Sequence, residues 1–143
     1  MGDQPRTVTF PRRDARGRIQ GFAELLGAAL VWLLVGLAVL VAIDGLVSLL
    51  GDGRFGRTSG WISGILVVWL YVEEYRAWRP IKLRPAIAAV GGAIGLLAGL
   101  IVSGLATTLP AIVTGTVAVA VASGVYGTIW FYGVRRVAAG QYR

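Results

Sequence analysis

Fifty consecutive residues, Pro85 to Val134, carry no formal charge, and Pro110 opens the second half of that run. A helix needs about 20 predominantly apolar residues to cross roughly 30 Å of hydrocarbon. The run therefore reads as two crossings joined by a tight turn at Thr107-Thr108-Leu109-Pro110. Proline suits a helix start because its missing N–H has no partner there. Two shorter uncharged runs come first, the 19 residues Leu25 to Ile43 and the 15 residues Thr58 to Val72. The first is long enough to cross alone. The second is short, but Trp61 and Trp78 lie 17 residues apart, about 25 Å along a helix. Tryptophans favour the two membrane interfaces, so a crossing over 59–79 is expected, with Pro80 as its stop.

The expected fold is an all-α integral membrane protein. Four transmembrane helices, over about 21–50, 59–79, 86–108 and 110–136, form a compact bundle. Residues 1–20 are a basic tail, 21–139 the four-helix transmembrane domain, and 140–143 a second short tail. Composition agrees, since 56% of residues are hydrophobic and only 15% charged, against about 25% charged in soluble domains. A chain this small has no core large enough to hide that much hydrocarbon.

Four crossings leave both ends of the chain on one side, and arginine chooses the side. Arg6, Arg12, Arg13, Arg16 and Arg18 precede the first helix, Arg76, Arg79, Lys82 and Arg84 fill the middle loop, and Arg135, Arg136 and Arg143 follow the last. Only Arg54 and Arg57 lie opposite. Twelve against two predicts a multi-pass plasma-membrane protein with N and C termini cytoplasmic. The net charge of +7 would invite a nucleic-acid reading in a soluble domain. Here the basic residues flank apolar runs, so the expected partners are anionic headgroups at the cytoplasmic face and not nucleic acid. The opening MGDQPRTVTFPRRDARGRIQ reads as a disordered, lipid-facing arm. It is not expected to be a cleaved signal, because no small-residue cleavage site follows the first apolar run.

Chemistry has little to work with. The chain has no cysteine and no histidine, which removes thiolate nucleophiles, imidazole ligands and the commonest general base. The loop GDGRFGRTSG resembles the opening of the membrane phosphotransferases that join CDP-linked headgroups to alcohols. Those enzymes hold their metals with several aspartates, and Asp52 is the only one in this loop. No catalytic residue, cofactor or metal site is expected.

Two sets of charges invite attention. Glu24, Glu73 and Glu74 fall at similar depth with Arg76, Arg135 and Arg136. They form either an ion-paired ring anchoring helix ends or a proton or cation relay at the inner mouth of a transporter. Asp44 lies about 30 Å beyond Glu24 along the first helix. There it is either an interfacial residue within reach of Arg54 or Arg57, or an intramembrane carboxylate with a role.

Small residues form stripes. Gly91, Gly95, Gly99 and Ser103 recur on one face of the third helix, and Thr116, Ala120, Gly124 and Thr128 on one face of the fourth. Such stripes let helix backbones approach in lipid, where no hydrophobic drive exists between helices. They predict a close hairpin of helices 3 and 4; alternatively the first stripe faces a second copy or lines a pore. The expected function is a non-catalytic accessory, scaffold or assembly subunit, in a homo-oligomer or a larger membrane complex. The alternative is a small oligomeric channel or transporter for an ion or small solute.

Overall fold

The computed structural model describes residues 9–51 and 53–141. It is all-helical: α1 (Phe22–Leu50), α2 (Ile65–Ala77), α3 (Arg84–Leu105) and α4 (Ala111–Gln141), with a 3₁₀ turn over Gly60–Gly64 leading into α2. No strand occurs among the described residues, beyond a single bridge between Arg13 and Ile19. The chain runs up, down, up and down, so Ile19 and the end of α4 meet at one end. We call that end the base and the opposite end the crown.

Helices α1, α3 and α4 are each long and apolar enough to cross a membrane. Helix α2 alone is not, having 13 residues where a 59–79 helix was expected. Its entry segment is the reason. Residues 60–64 are wound as a 3₁₀ turn, which rises about 2.0 Å per residue against 1.5 Å in an α-helix. The stretch 60–77 thus covers about 30 Å with 18 residues. The other boundaries differ from expectation mainly at α4, which continues through Arg135 and Arg136 to Gln141.

The outside is apolar and the inside small, the reverse of a soluble domain. Leu30, Leu34, Ile43, Val90, Leu97 and Ile101 are all exposed. Inside, the 3₁₀ turn is wedged between α1 and α4 through glycine. A Cβ on Gly60 would run into the Ile112 carbonyl and the Thr116 backbone; one on Gly36 would strike the Ser63 carbonyl. From the α4 side, Gly115 lies against the Gly60 and Trp61 backbone with no room for a methyl. Main chain packs on main chain here.

Gly91, Gly95 and Gly99 are buried against α4, where a Cβ on Gly95 would lie 2.7 Å from the Ala122 carbonyl oxygen. Ser103, next on that stripe, is only half-buried. The α4 stripe behaves differently from the expectation. The face of α4 that meets the α3 glycines is Ala118, Ala122, Tyr126 and Ile129. Ala120 and Gly124 instead line a cleft with Leu26, Ala29 and Leu33 of α1. Thr116 touches the 3₁₀ turn, and Thr128 is exposed, donating to the Gly124 carbonyl at 2.7 Å. The two α4 stripes are two residues out of step, about 200° around the helix.

Toward the base, α2 stands off α4 on aromatic side chains. Tyr71 meets Tyr126 edge-on at 4.5 Å, and Trp130 lies parallel to Tyr126 and 5.9 Å from Tyr75. The buried core gathers there, with Leu25, Leu33, Val67, Leu70, Trp130 and Val134.

The glycine contacts set the first prediction. Gly115→Ala should destabilise the protein by about 2 kcal/mol, the scale of an overpacked core. Gly124→Ala, whose Cβ meets nothing within 4 Å, should be neutral or stabilise by up to about 1 kcal/mol through helix propensity. Thermal unfolding in detergent reads both.

Candidate functional site

The charges assemble at the two ends, and the base is the richer. Residues 12–20, expected as a disordered lipid-facing arm, fold into a small hairpin on the ends of α2 and α4; residues 1–8 lie outside the described residues. Asp14 opens its turn and Gly17 closes it, at φ 79°, a left-handed geometry that glycine adopts without strain. The Asp14 N–H donates to the Arg18 carbonyl and the Gly17 N–H to the Asp14 carbonyl, each at 2.9 Å. The hairpin buries Ile19 to 1% exposure. Three arm arginines pair with carboxylates, Arg12 with Glu24, Arg13 with Glu74 and Arg18 with Asp14, while Arg12, Arg13 and Arg16 stay exposed.

Glu74 is the hub. Its carboxylate is 2% exposed and accepts the Ile19 N–H at 2.8 Å, an Arg13 guanidinium N–H at 3.3 Å and the Trp78 indole N–H at 3.3 Å. From α4, Arg135 donates to the Ile19 carbonyl at 2.6 Å and to the Gln20 carbonyl at 3.3 Å. Its guanidinium carbon also lies 3.5 Å from the Phe131 ring centroid. Glu74 and Arg135 thus hold the two sides of one peptide segment. Glu24 is ion-paired with Arg12. Glu73 pairs with Arg76 at 3.1 Å on the exposed surface, where such a pair contributes little. Arg136 is exposed.

The expected ring is therefore partly redrawn. Glu24 and Glu74 are joined to arm residues Arg12 and Arg13, which the sequence reading placed in lipid headgroups, while Glu73 and Arg76 satisfy each other locally. A legible signal for the arm existed: aspartate followed three residues later by glycine, as in Asp14 and Gly17, is a turn pattern.

At the crown, Asp44 is 4% exposed. It accepts the Gly56 N–H at 2.6 Å, the Thr58 N–H at 3.2 Å and the Thr58 hydroxyl. These three bonds come from the backbone and hydroxyl of the loop returning to the 3₁₀ turn. Asp44 does there what Glu74 does at the base. Between them, residues 25–43 and 58–72 hold no charge.

Arranged in this way, Asp14, Asp44 and Glu74 order backbone. Ser63 donates to the Gly60 carbonyl at 2.6 Å and Ser48 to the Gly45 carbonyl at 2.9 Å. Among the described residues, no three acidic side chains gather as metal ligands. No protein family model, curated protein or solved structure matches the chain.

In the hairpin, burial raises the Asp14 carboxyl, but N–H bonds from Arg18 and Arg16 and the Arg18 guanidinium outweigh it and hold the group below its ordinary value. A depressed folded value stabilises the turn above about pH 4, and that stability is lost as pH falls through the lower folded value. A carbon-13 titration should place the Asp14 carboxyl midpoint below about 3.9. Glu74→Ala strips three donors of their acceptor and should cost about 3 kcal/mol. It should also raise tryptic cleavage after Arg13, Arg16 and Arg18 at least tenfold in the folded protein, whereas Glu73→Ala should leave the cleavage rate unchanged.

Proposed function

We propose that this chain is a multi-pass plasma-membrane protein with four crossings, both termini cytoplasmic, and a non-catalytic role as an accessory, scaffold or assembly subunit. One observation carries the reading of role: the two buried carboxylates, Asp44 and Glu74, stand at opposite ends of the bundle, each committed to backbone N–H groups of a folded-back segment. A carboxylate that relays protons or cations must exchange partners along a path. These two are joined by an uncharged interior of Leu33, Val67, Leu70 and Val119.

The orientation rests on arginine. Among the described residues Arg12, Arg13, Arg16, Arg18, Arg76, Arg79, Lys82, Arg84, Arg135 and Arg136 lie toward the base, against Arg54 and Arg57 at the crown, a bias that supports a cytoplasmic base. The third and fourth passes are the hairpin of α3 and α4. The second is the 3₁₀ turn with α2, whose base end carries Trp78 and the headgroup-depth charges.

The absence of cysteine makes the orientation simple to test with single introduced thiols. Phe55→Cys, in the crown loop, should react with a membrane-impermeant maleimide in intact cells. Lys82→Cys, in the base loop, should react only after permeabilisation. The opposite pattern would overturn the orientation. For the role, Asp44→Asn and Glu74→Gln in proteoliposomes should leave ion and solute flux at the protein-free background. Flux above background that either substitution abolishes would establish the channel or transporter instead.

A further inference from the structure

Two cavities, about 330 Å³ and about 270 Å³, lie along the seam between α2 and α3 and share Val68 and Tyr71 as walls. Together they make one groove running from Trp61 toward Tyr75. It exists because α3 leans on α4 while α2 leans on α1, with no extended contact between α2 and α3. The aromatic props described above hold α2 off the α4 floor. Val68 and Leu96, on its two lips, are 62% and 52% exposed, so the groove opens to the surroundings of the bundle.

The lining is apolar apart from Ser123 and tyrosine hydroxyls. The Tyr71 hydroxyl donates to the Ser123 carbonyl at 2.8 Å. At the base end stands Arg84, half-buried, its guanidinium carbon 4.5 Å from the Tyr75 ring centroid and one N–H on the Tyr75 carbonyl at 3.2 Å. Among the described residues Arg84 has no carboxylate partner. Arg12, Arg13, Arg18 and Arg76 all have one.

We propose that this groove binds one acyl chain of an anionic phospholipid, whose phosphate is held by Arg84. The proposal rests on the membrane reading above and adds to it a defined site. An uncompensated guanidinium at one end of an apolar channel matches a molecule with an anionic head and a hydrocarbon tail. Guanidinium is also the side chain whose donors best fit phosphate, and basic pockets between helices at the cytoplasmic face suit such headgroups. A partner helix would fill the channel but would leave Arg84 without its anion.

Two substitutions separate head from tail. Arg84→Gln removes the cation. Gly92→Leu puts a side chain into the groove from α3, at a position that lines it and where the added Cβ meets nothing within 4 Å. The measurement is native mass spectrometry of the detergent-purified protein with equal dioleoyl phosphatidylglycerol and dioleoyl phosphatidylcholine. The unaltered protein should retain one phosphatidylglycerol in preference to phosphatidylcholine. Arg84→Gln should reduce that preference about fivefold, the scale of one basic side chain at an anionic surface. Gly92→Leu should reduce retention of both lipids.

Equal retention of the two lipids by the unaltered protein, or an unchanged preference in Arg84→Gln, would overturn the proposal. So would wild-type lipid retention in Gly92→Leu, or a smaller protein assembly in that variant, which would assign the groove to another copy of the chain. Failure of the membrane reading looks different: the purified chain would stay in solution after detergent removal.

Discussion

Backbone-to-backbone contact at Gly36, Gly60 and Gly115 is the constraint on which the rest of the bundle depends. Lipid offers helices no hydrophobic reason to meet, so the attraction must come from dispersion at short range. Three strategically bare positions let the 3₁₀ turn sit between α1 and α4. That wedge fixes where α2 begins, and the 3₁₀ winding lets so short a segment reach the base. The opposite device works at the base. There Tyr71, Tyr75, Tyr126 and Trp130 hold the helices apart. Tight at the crown and propped at the base, the bundle has a splayed seam between α2 and α3.

Polar groups then close the two ends by a common principle. Among the described residues each end has one buried carboxylate on a helix, Asp44 on α1 or Glu74 on α2, and each accepts N–H groups of a segment that would otherwise hang free. Each carboxylate has backbone amides among its partners, Ile19 for Glu74 and Gly56 and Thr58 for Asp44, and these cannot swing away as a free side chain can. A carboxylate held in that way is satisfied in place. The arginines add the second hand, most clearly Arg135, which grips the carbonyls of Ile19 and Gln20.

How much of this was legible depends on which signal carried it. The long uncharged runs located α1, α3 and α4, because charge and hydropathy are read one residue at a time. The α3 glycines were legible for the same reason, as a repeat of four. The α4 stripe misled, since Thr116, Ala120, Gly124 and Thr128 satisfy the same pattern as the true contact face at Ala118 and Ala122. Periodicity says that a face is smooth but not which neighbour it meets. The 3₁₀ turn was invisible, because its winding is imposed by the close approach of two other helices. The arm was misread for a different reason. Arg13 looks like a headgroup ligand until Glu74, 61 residues away, is brought beside it.

The arm also fixes an order of events during synthesis. Ile19 is held by Glu74, 55 positions later, and by Arg135, 116 positions later. The ribosome adds roughly 5–20 residues per second, so the first residues made wait several seconds for the last of their holders. Until α4 emerges, the hairpin has only half its grip. Its docking therefore cannot be completed before α4 is made, and a chain cut short before Arg135 would lack one of the two holders of Ile19.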